Sequence, residues 1–412
     1  MASLIMKKCP NCGAGVQLDP AASHPYTIVC EFCRTSVAVY PPQKTMPGRP
    51  APPRPVGPNV IVMDSRAGTE GARKLGSIIA ATVALLPLLI LLGTFARPCV
   101  DYANARFSPW YFPAKCEANQ TLAVKGRTAR SSEPFFQGAF NCKVKIVDCN
   151  LTGPVILQGG GNTEVILQNS KIRVTRAVLD GDSNTKVLAE GGSVVTTDTA
   201  VAIGNSHVEV EVVGSTIQSA GVLVKAQTHG KVRAKEKSHL AVSKGIGEGL
   251  HFDLTLDDST LAVEDSVFRD SQTFASVTVA NGSKVTGAHV PFRGAEHSTI
   301  DIDGARVEGE EGGCDLETHS TVRLRDHATV VAKTGDAIRL GDYGRLEVGS
   351  GSLVQAQRAA VRFRSYGRLV VSGGQLRGAE AFVGDSYTEV KLRKATAEGT
   401  RTVGRNSRVE EE

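Results

Sequence analysis

From residue 122 onward, pairs of aliphatic residues separated by one position recur along the chain. There are thirteen pairs, the interval from one pair to the next is 21 to 24 residues, and all 26 positions are apolar. Aliphatic residues two apart predict a strand with one buried face, and a constant interval of this length predicts a solenoid whose turns stack by parallel strand pairing. The pairs are Leu122/Val124, Val144/Ile146, Val165/Leu167, Val187/Ala189, Val210/Val212, Val232/Ala234, Leu254/Leu256, Val277/Val279, Ile300/Ile302, Val322/Leu324, Leu346/Val348, Leu369/Val371 and Val390/Leu392.

Two further sets of positions recur at the same interval, each at a fixed distance from the aliphatic pair, and we call such a set a column. Two residues after each pair, ten of the thirteen residues are Gly, Asn or Asp, which readily adopt the left-handed backbone conformation, so a corner is expected there on nearly every turn. The residues immediately before six of the pairs alternate in charge, which predicts a ladder of ion pairs that serves solubility and register rather than binding. These six residues are Lys143, Glu164, Lys186, Glu209, Lys231 and Asp253.

Short apolar runs such as Val155–Leu157 and Ala200–Ile203 indicate a second strand in each turn. A turn of about 22 residues with two or three short strands resembles the right-handed parallel β-helix of the pectin-lyase-like superfamily. The resemblance is one of period and pattern. It implies an all-β fold, with about 13 rungs of 21 to 24 residues over residues 118–412.

Residues 75–96 form an uncharged apolar segment of 22 residues, and Arg73, Lys74 and Arg97 stand at its ends. A helix of that length covers roughly the 30 Å hydrocarbon core of a bilayer, and Pro87 is tolerated there as a kink. We therefore expect a single transmembrane helix; the alternative is a buried helix of a soluble domain.

Four of the nine cysteines have the spacing C-x2-C-x17-C-x2-C: Cys9, Cys12, Cys30 and Cys33. Two such knuckles place four thiolates around one tetrahedral Zn²⁺, which also stabilises a segment too short to bury a large core. The alternative, a redox CxxC, lacks the βαβ context. The residues CPNCGA and CEFCRT resemble the knuckles of the zinc-ribbon family. That resemblance implies a module, residues 1–40, that meets nucleic acid or protein, and its few basic residues favour a protein partner over nucleic acid.

Composition defines two more segments. Residues 41–58 contain eight of the 18 prolines, so residues 41–74 are predicted to be an extended, basic linker. Residues 97–140 concentrate aromatic side chains and are predicted to be a juxtamembrane segment and the N-terminal cap of the solenoid. A belt at the membrane interface is the alternative explanation. The aromatic residues are Tyr102, Phe107, Trp110, Tyr111, Phe112, Phe135, Phe136 and Phe140.

The charges next to the apolar segment do not decide its orientation, since three Lys or Arg residues lie within 20 residues of each end. Residues 1–74, however, hold nine basic against four acidic residues, while the rest of the chain is balanced at 38 of each. Thiolates that hold zinc also require a reducing compartment. We therefore expect the N-terminus in the cytoplasm and the solenoid on the periplasmic side of a bacterial-type inner membrane.

The cysteines after residue 97 are predicted from their proximity in sequence to form two disulfides. The predicted pairs are Cys99 with Cys116 and Cys142 with Cys149, which leaves Cys314 single.

Enzymes that resemble this fold act on acidic polysaccharides through clustered aspartates on neighbouring rungs. The densest candidate cluster is Asp257 and Asp258, then Asp301 and Asp303, then Asp326, with Arg323 and Arg325 beside them. However, Asp258 occupies the corner column and Asp301 lies opposite basic residues as a charge ladder would, so a structural role is favoured. The sequence thus favours a non-enzymatic membrane protein whose zinc ribbon meets a protein and whose β-helix binds glycan, envelope material or protein. The alternative is a membrane-tethered polysaccharide lyase or glycoside hydrolase.

Overall fold

The computed structural model of the chain describes residues 113–268 and 273–412, together with five short strands nearer the N-terminus. From Ala114 onward the chain forms an all-β, parallel solenoid of the right-handed type with about 13 turns. This confirms the predicted all-β parallel solenoid. Contacts divide the chain into two compact units, residues 1–57 and 58–412.

Each turn of the solenoid contributes strands to up to three faces, which we number 1 to 3 in chain order. Face 1 is one continuous sheet of 15 strands, nearly all of which carry a predicted aliphatic pair. Its strands are Val60–Met63, Thr121–Lys125, Lys143–Val147, Glu164–Gln168, Ser183–Glu190, Ser206–Val213, His229–Lys235, His251–Asp257, Phe274–Ala280, Thr299–Asp303, Thr321–Arg325, Arg345–Val348, Arg368–Ser372, Glu389–Arg393 and Arg408–Glu411.

Four long strands run through both face 2 and face 3, and shorter strands lie on one of these faces each. The long strands are Asn150–Gly159, Lys171–Asp180, Gln375–Gly384 and Thr396–Val403. The other strands of face 2 are Thr128–Arg130, Val194–Thr197, Thr216–Ser219, His239–Val242, Thr260–Val263, Lys284–Gly287, Arg306–Gly309, Thr329–Ala332 and Leu353–Gln355. Those of face 3 are Ala114–Cys116, Phe136–Gly138, Ala202–Gly204, Val222–Ala226, Gly245–Glu248, Phe292–Gly294, Cys314–Leu316, Ile338–Leu340 and Ala359–Phe363.

The predicted aliphatic pairs fill the interior behind face 1. The register places each pair directly over the next, as in Val187 opposite Val210 and Val210 opposite Val232. Of the 26 predicted positions, 25 are buried, and Val124 on the first turn is partly exposed. Stacked aliphatic side chains removed from water are the main favourable term for such a fold. The run Val155–Leu157, predicted as a second strand, lies on face 3.

The predicted corner column lies in the left-handed region on twelve of its thirteen turns. Glu236 and Lys394 adopt this conformation as well, at φ 55° and 47°, although their side chains do not favour it. At the remaining turn the positive φ falls on Gly351 rather than on Ser350. Stacking of identical turns thus imposes the corner even where the residue type does not.

Inside this corner, between faces 1 and 2, small polar side chains stack from turn to turn. The hydroxyls of Ser170, Ser193 and Ser215 each accept a hydrogen bond of 3.1 Å from the backbone N–H one turn earlier. The sulfur of Cys149 occupies the same place and accepts from the Arg127 N–H at 3.4 Å. Buried backbone groups at the corner are therefore satisfied without water.

The predicted disulfides are wrong within the described residues. Cys116 is bonded to Cys142, with their Cα atoms 5.9 Å apart, and Cys149 and Cys314 are buried free thiols. Cys116 and Cys142 are 26 residues apart, about one turn, so they stack on neighbouring turns. Cys142 and Cys149 flank the strand Lys143–Val147, whose extended backbone holds them too far apart to bond.

The N-terminal unit contains two antiparallel strand pairs. Ile5–Lys8 pairs with Gly15–Leu18, and Tyr26–Val29 pairs with Ser36–Val39. The strand Val60–Met63 lies within the segment predicted as a linker and pairs with Thr121–Lys125. In the part of the chain that the structure describes, no helix is long and apolar enough to cross a membrane, and the predicted span 75–96 lies outside that part.

Candidate binding groove and ring ladder

The four candidate aspartates do not form one cluster. Asp257 ends one strand of face 1 and Asp258 follows it, Asp301 and Asp303 belong to the strand two turns further on, and Phe274–Ala280 lies between them. Strands in a sheet are about 4.8 Å apart, so the two aspartate pairs are separated by about 10 Å. The two predicted pairs are therefore not in contact with each other, and the close carboxylate contact is instead between Asp303 and Asp326, which share a hydrogen bond.

Each of these aspartates also has a structural role, either through a side-chain contact or through its position at the corner. Asp257 accepts a hydrogen bond of 2.6 Å from the Asn281 amide, and Asp258 adopts the left-handed corner at φ 46°. Asp301 forms an ion pair of 3.3 Å with Arg323. Burial, followed by a hydrogen bond shared with Asp326 and the charge of that residue, raises the pKa of Asp303.

Face 3 carries a groove of about 710 Å³ that the sequence analysis did not anticipate. Four arginines line it, and three of them share one register column that runs Arg293, Asp315, Arg339, Arg362. Three carboxylates also contribute. The lining residues are Arg293, Gly294, Asp315, Leu316, Glu317, Thr318, Arg339, Leu340, Gly341, Arg362, Phe363, Arg364 and Asp385.

Asp336 lies beside the groove and holds two of its arginines. Its side chain is fully buried, and its Oδ2 accepts from Nε of Arg339 at 2.9 Å and from Nε of Arg362 at 2.8 Å. Its Oδ1 accepts from the Ala359 N–H at 3.0 Å. Although burial opposes the charged form, the hydrogen bonds from Arg362, Ala359 and Arg339 outweigh it and lower the pKa of Asp336 to about 2.

Because Asp336 engages the Nε atoms, the terminal nitrogens of these two guanidiniums point to other partners. Nη2 of Arg362 donates to Glu380 at 3.0 Å, whereas Nη1 of Arg339 is 3.8 Å from Asp315. Arg364, another arginine that lines the groove, forms no ion pair or side-chain hydrogen bond with the described residues. Guanidinium groups held in this way can bind a carboxylate, phosphate or sulfate through parallel N–H donors.

A second feature is a column of stacked rings at the corner between faces 3 and 1, which we call the ring ladder. It contains nine exposed side chains, one per turn, with neighbouring ring centroids 4.7 to 5.5 Å apart. Its members are His207, His229, His251, Phe274, His297, His319, Tyr343, Tyr366 and Tyr387.

The ring ladder was also missed from the sequence, yet its signal is present there. Every member lies three residues before the first aliphatic residue of its turn, as Tyr366 lies before Leu369. On the four earlier turns the same column holds Asn119, Asn141, Asn162 and Asn184. The amide of Asn141 donates to Asn119, and that of Asn184 donates to Asn162, both at 2.8 Å.

The predicted zinc ligands Cys9, Cys12, Cys30 and Cys33 lie outside the described residues. Each CxxC falls in sequence between the two strands of one antiparallel pair. Among the described residues, no group of three or more His, Cys, Asp or Glu side chains is arranged to hold a metal ion.

Comparison with known proteins gives no match, since no protein-family model, no curated protein and no solved structure matches this chain. The chemistry of the groove and of the ring ladder is therefore inferred from their own residues.

Proposed function

We propose that this chain is a single-pass membrane protein whose solenoid, on the periplasmic side of a bacterial-type inner membrane, is a non-enzymatic scaffold that binds an envelope glycan. The groove on face 3 is the binding site. On the cytoplasmic side, a zinc ribbon that holds Zn²⁺ through Cys9, Cys12, Cys30 and Cys33 binds a protein partner.

The observation that carries the proposal is the arrangement of Asp336 with Arg339 and Arg362. A fully buried carboxylate fixes two guanidiniums at the wall of the groove, and Arg364 beside them has no ion-pair partner among the described residues. Fixed guanidiniums lose little conformational entropy when they bind an acidic group. The buried carboxylate at the groove wall, Asp336, stays charged, with a pKa of about 2, so it is not suited to donate a proton, and Asp303, whose pKa is raised beside Asp326, belongs to a strand of face 1 rather than to the groove.

The two antiparallel strand pairs of the N-terminal unit support the zinc-ribbon part of the proposal, because each CxxC falls between paired strands. The disulfide between Cys116 and Cys142 supports a periplasmic solenoid, since disulfides persist in oxidising compartments.

A binding screen with a matched pair of variants tests the proposed site. The full-length chain in detergent is screened against neutral and acidic envelope glycans, and cleavage products are assayed in the same wells. Arg364→Gln removes a groove arginine, whereas Arg345→Gln removes an arginine of face 1 that likewise has no ion pair with the described residues. We expect binding without cleavage, a loss of about tenfold in affinity for Arg364→Gln, and no change for Arg345→Gln.

Two results would contradict the proposal. Equal affinity for both variants would exclude the groove as the site. Release of cleaved oligosaccharide by the wild-type chain would favour the alternative, a membrane-tethered polysaccharide lyase or glycoside hydrolase.

A further inference from the structure

The first three rings of the ring ladder are all imidazoles. His207, His229 and His251 stack with centroids 4.7 Å apart at each step and with ring planes within 7° of parallel, and all three side chains are exposed. Because the faces of the rings are covered by one another, it is the ring edges, with their nitrogen atoms, that meet solvent. We call these three residues the histidine run.

The nitrogens of the histidine run are not engaged by other side chains of residues 113–268 and 273–412. No hydrogen bond or ion pair joins these three rings to any other described residue. Two imidazoles elsewhere on the solenoid do have polar partners: Nδ1 of His239 is 2.6 Å from Oγ1 of Thr260, and Nδ1 of His289 is 3.1 Å from the Glu311 carboxylate.

The backbone does not require a ring at this corner. Asn162 and Asn184 fill it on the two preceding turns, with φ 55° and 54°, and Asn406 fills it again near the C-terminus at φ 59°. Asparagine is well suited to this conformation and forms amide hydrogen bonds along the column. Of the histidine run, only His207 shares the left-handed conformation, at φ 51°, whereas His229 and His251 do not adopt a positive φ, so the turn does not account for the three rings.

The charged residues around the histidine run carry a small negative net charge while the three imidazole rings are neutral. On the same turns, the described charged residues nearest the corner are Glu209, Lys231 and Asp253 on face 1 and Lys225 and Glu248 on face 3. Glu209 is paired with Arg233 at 3.2 Å, and Lys225 with Glu248 at 3.7 Å. Those five residues carry a net charge of −1, and three imidazolium charges would change it to +2.

The surroundings of His229, the middle ring of the run, disfavour its protonation. Partial burial and then the neighbouring rings His207 and His251 lower the pKa of His229, while Asp253 acts in the opposite direction. An anion that contacts several ring edges would offset this repulsion, so that binding and protonation favour each other.

We propose that the histidine run is a binding site for a linear polyanion that is occupied in acid and empty at neutral pH. A straight row of cationic edges repeating every 4.7 Å suits an extended chain of anionic groups better than a single small anion. The site lies on other turns than the groove of face 3, so it adds a second, pH-dependent contact to the proposed scaffold.

The direction of the pH dependence follows from the imidazole. An imidazole gains its positive charge as the pH falls through its pKa and is neutral well above it, and the pKa of His229 lies below the usual value of 6.5. A polyanion bound to the protonated form raises the pKa of these histidines in the complex. Affinity therefore rises as the pH falls.

The test uses the full-length chain in detergent and inorganic polyphosphate as the probe, because its internal phosphates stay charged across the range. We expect affinity at pH 5.0 to exceed that at pH 7.5 by about tenfold or more, and orthophosphate at equal phosphate concentration to show no such gain. The triple variant His207→Phe, His229→Phe, His251→Phe keeps stacked rings, and the triple His→Asn variant extends the asparagine column. Both should lose the gain in acid.

Two control variants separate this site from others. His289→Asn removes a histidine outside the ring ladder and should keep the gain, and Arg364→Gln in the groove should keep it as well. Loss of the gain in Arg364→Gln would assign the polyanion to the groove and overturn this inference while leaving the proposed function in place. Persistence of the gain in both triple variants would show that the run is only a structural stack.

A measurement on the wild-type chain tests the site without relying on variants that must fold correctly. The C–H proton resonances of the imidazole rings are followed through a pH titration of the wild-type chain with and without polyphosphate. We expect three histidines to shift their titration to higher pH when polyphosphate is present. Identical titration curves would overturn the inference.

Discussion

Cys149 shows how a single position depends on its neighbours. Burial raises the pKa of its thiol, which therefore stays protonated and donates to the Val147 carbonyl at 3.2 Å, while its sulfur accepts from the Arg127 N–H. Ser170, one turn later, makes the same pair of contacts, donating to Gln168 and accepting from the Cys149 N–H. The thiol is thus a substitute for serine in a stacked column.

We expect Cys149→Ser to leave stability unchanged within about 1 kcal/mol, because a hydroxyl keeps both hydrogen bonds. Cys149→Val removes the acceptor and leaves the Arg127 N–H without a partner, which should cost about 1 to 2 kcal/mol. Urea unfolding followed by circular dichroism measures both variants. Equal stability of the serine and valine variants would contradict this role for the sulfur.

Asp336 is the residue of the groove whose loss should matter most for stability. Asp336→Asn keeps the shape but removes the charge that two guanidiniums contact, which should cost about 2 to 3 kcal/mol at neutral pH. The pKa of this carboxyl is about 2 in the folded chain against 3.8 for an unperturbed aspartate, so its contribution is complete above about pH 5 and declines as the pH falls toward 2.

The urea midpoints of the wild-type chain and of the Asp336→Asn variant should therefore differ most at pH 7, and the difference should become smaller between pH 4 and pH 2. Asp315→Asn, which alters a half-exposed groove carboxylate 3.8 Å from Arg339, is the control and should change stability by less than about 1 kcal/mol. A stability difference for Asp336→Asn that does not depend on pH would show that its charge is not responsible.

At the scale of the strand, each turn buries two aliphatic side chains behind face 1. Ile300 is fully buried and stacks between Val277 and Val322, whereas the next residue, Asp301, points outward to Arg323. Ile300→Asn leaves a cavity and an unpartnered amide, and should lower the unfolding free energy by about 4 kcal/mol. Asp301→Asn should lower it by less than about 1 kcal/mol.

Amide hydrogen exchange tests the same prediction turn by turn along the solenoid. In a solenoid each turn contacts only its neighbours, so Ile300→Asn should speed amide exchange most in the strands Phe274–Ala280 and Thr321–Arg325. Slowly exchanging amides on the first turns should change little. Uniformly faster exchange along the whole solenoid would mean that the turns unfold as one unit instead.

The sequence was sufficient for face 1 because one requirement, two buried aliphatic residues per turn, acts at a fixed interval. Leu122 through Val390 could be aligned without knowing any other strand. The ring ladder follows the same interval, at three residues before each pair, but a search confined to aliphatic periodicity passes over exposed His207 or Tyr387.

The groove of face 3 could not be found in the same way, because the number of residues between faces varies. The register shifts between Gly153 and Val155, and again after Arg377. Asp336 meets Arg362, 26 residues later, because Arg362 stacks one turn beyond Arg339, which Asp336 also contacts, so the contact joins residues of different register columns. The disulfide was mispredicted for a related reason, since proximity in sequence is a poor guide where residues one turn apart are neighbours.

On the scale of the whole molecule, two sets of cysteines require opposite redox environments. The proposed zinc ligands Cys9, Cys12, Cys30 and Cys33 must be thiolates, whereas Cys116 and Cys142 form a disulfide. The apolar segment 75–96 lies between the two sets in sequence. A single crossing of the membrane by this segment would meet both requirements at once.

This topology predicts how the chain is cleaved in cells. In spheroplasts that express the chain with different tags at its two ends, external protease should remove the C-terminal tag and spare the N-terminal tag until the membrane is lysed. Removal of the N-terminal tag from intact spheroplasts would reverse the orientation and place the zinc thiolates in the oxidising compartment, where they are least stable.

Zinc analysis of the purified chain should give about one zinc ion per chain, and replacing both Cys9 and Cys12 by serine should abolish zinc binding. The circular dichroism of the solenoid should stay unchanged in that variant, because the described residues of the solenoid hold no metal cluster.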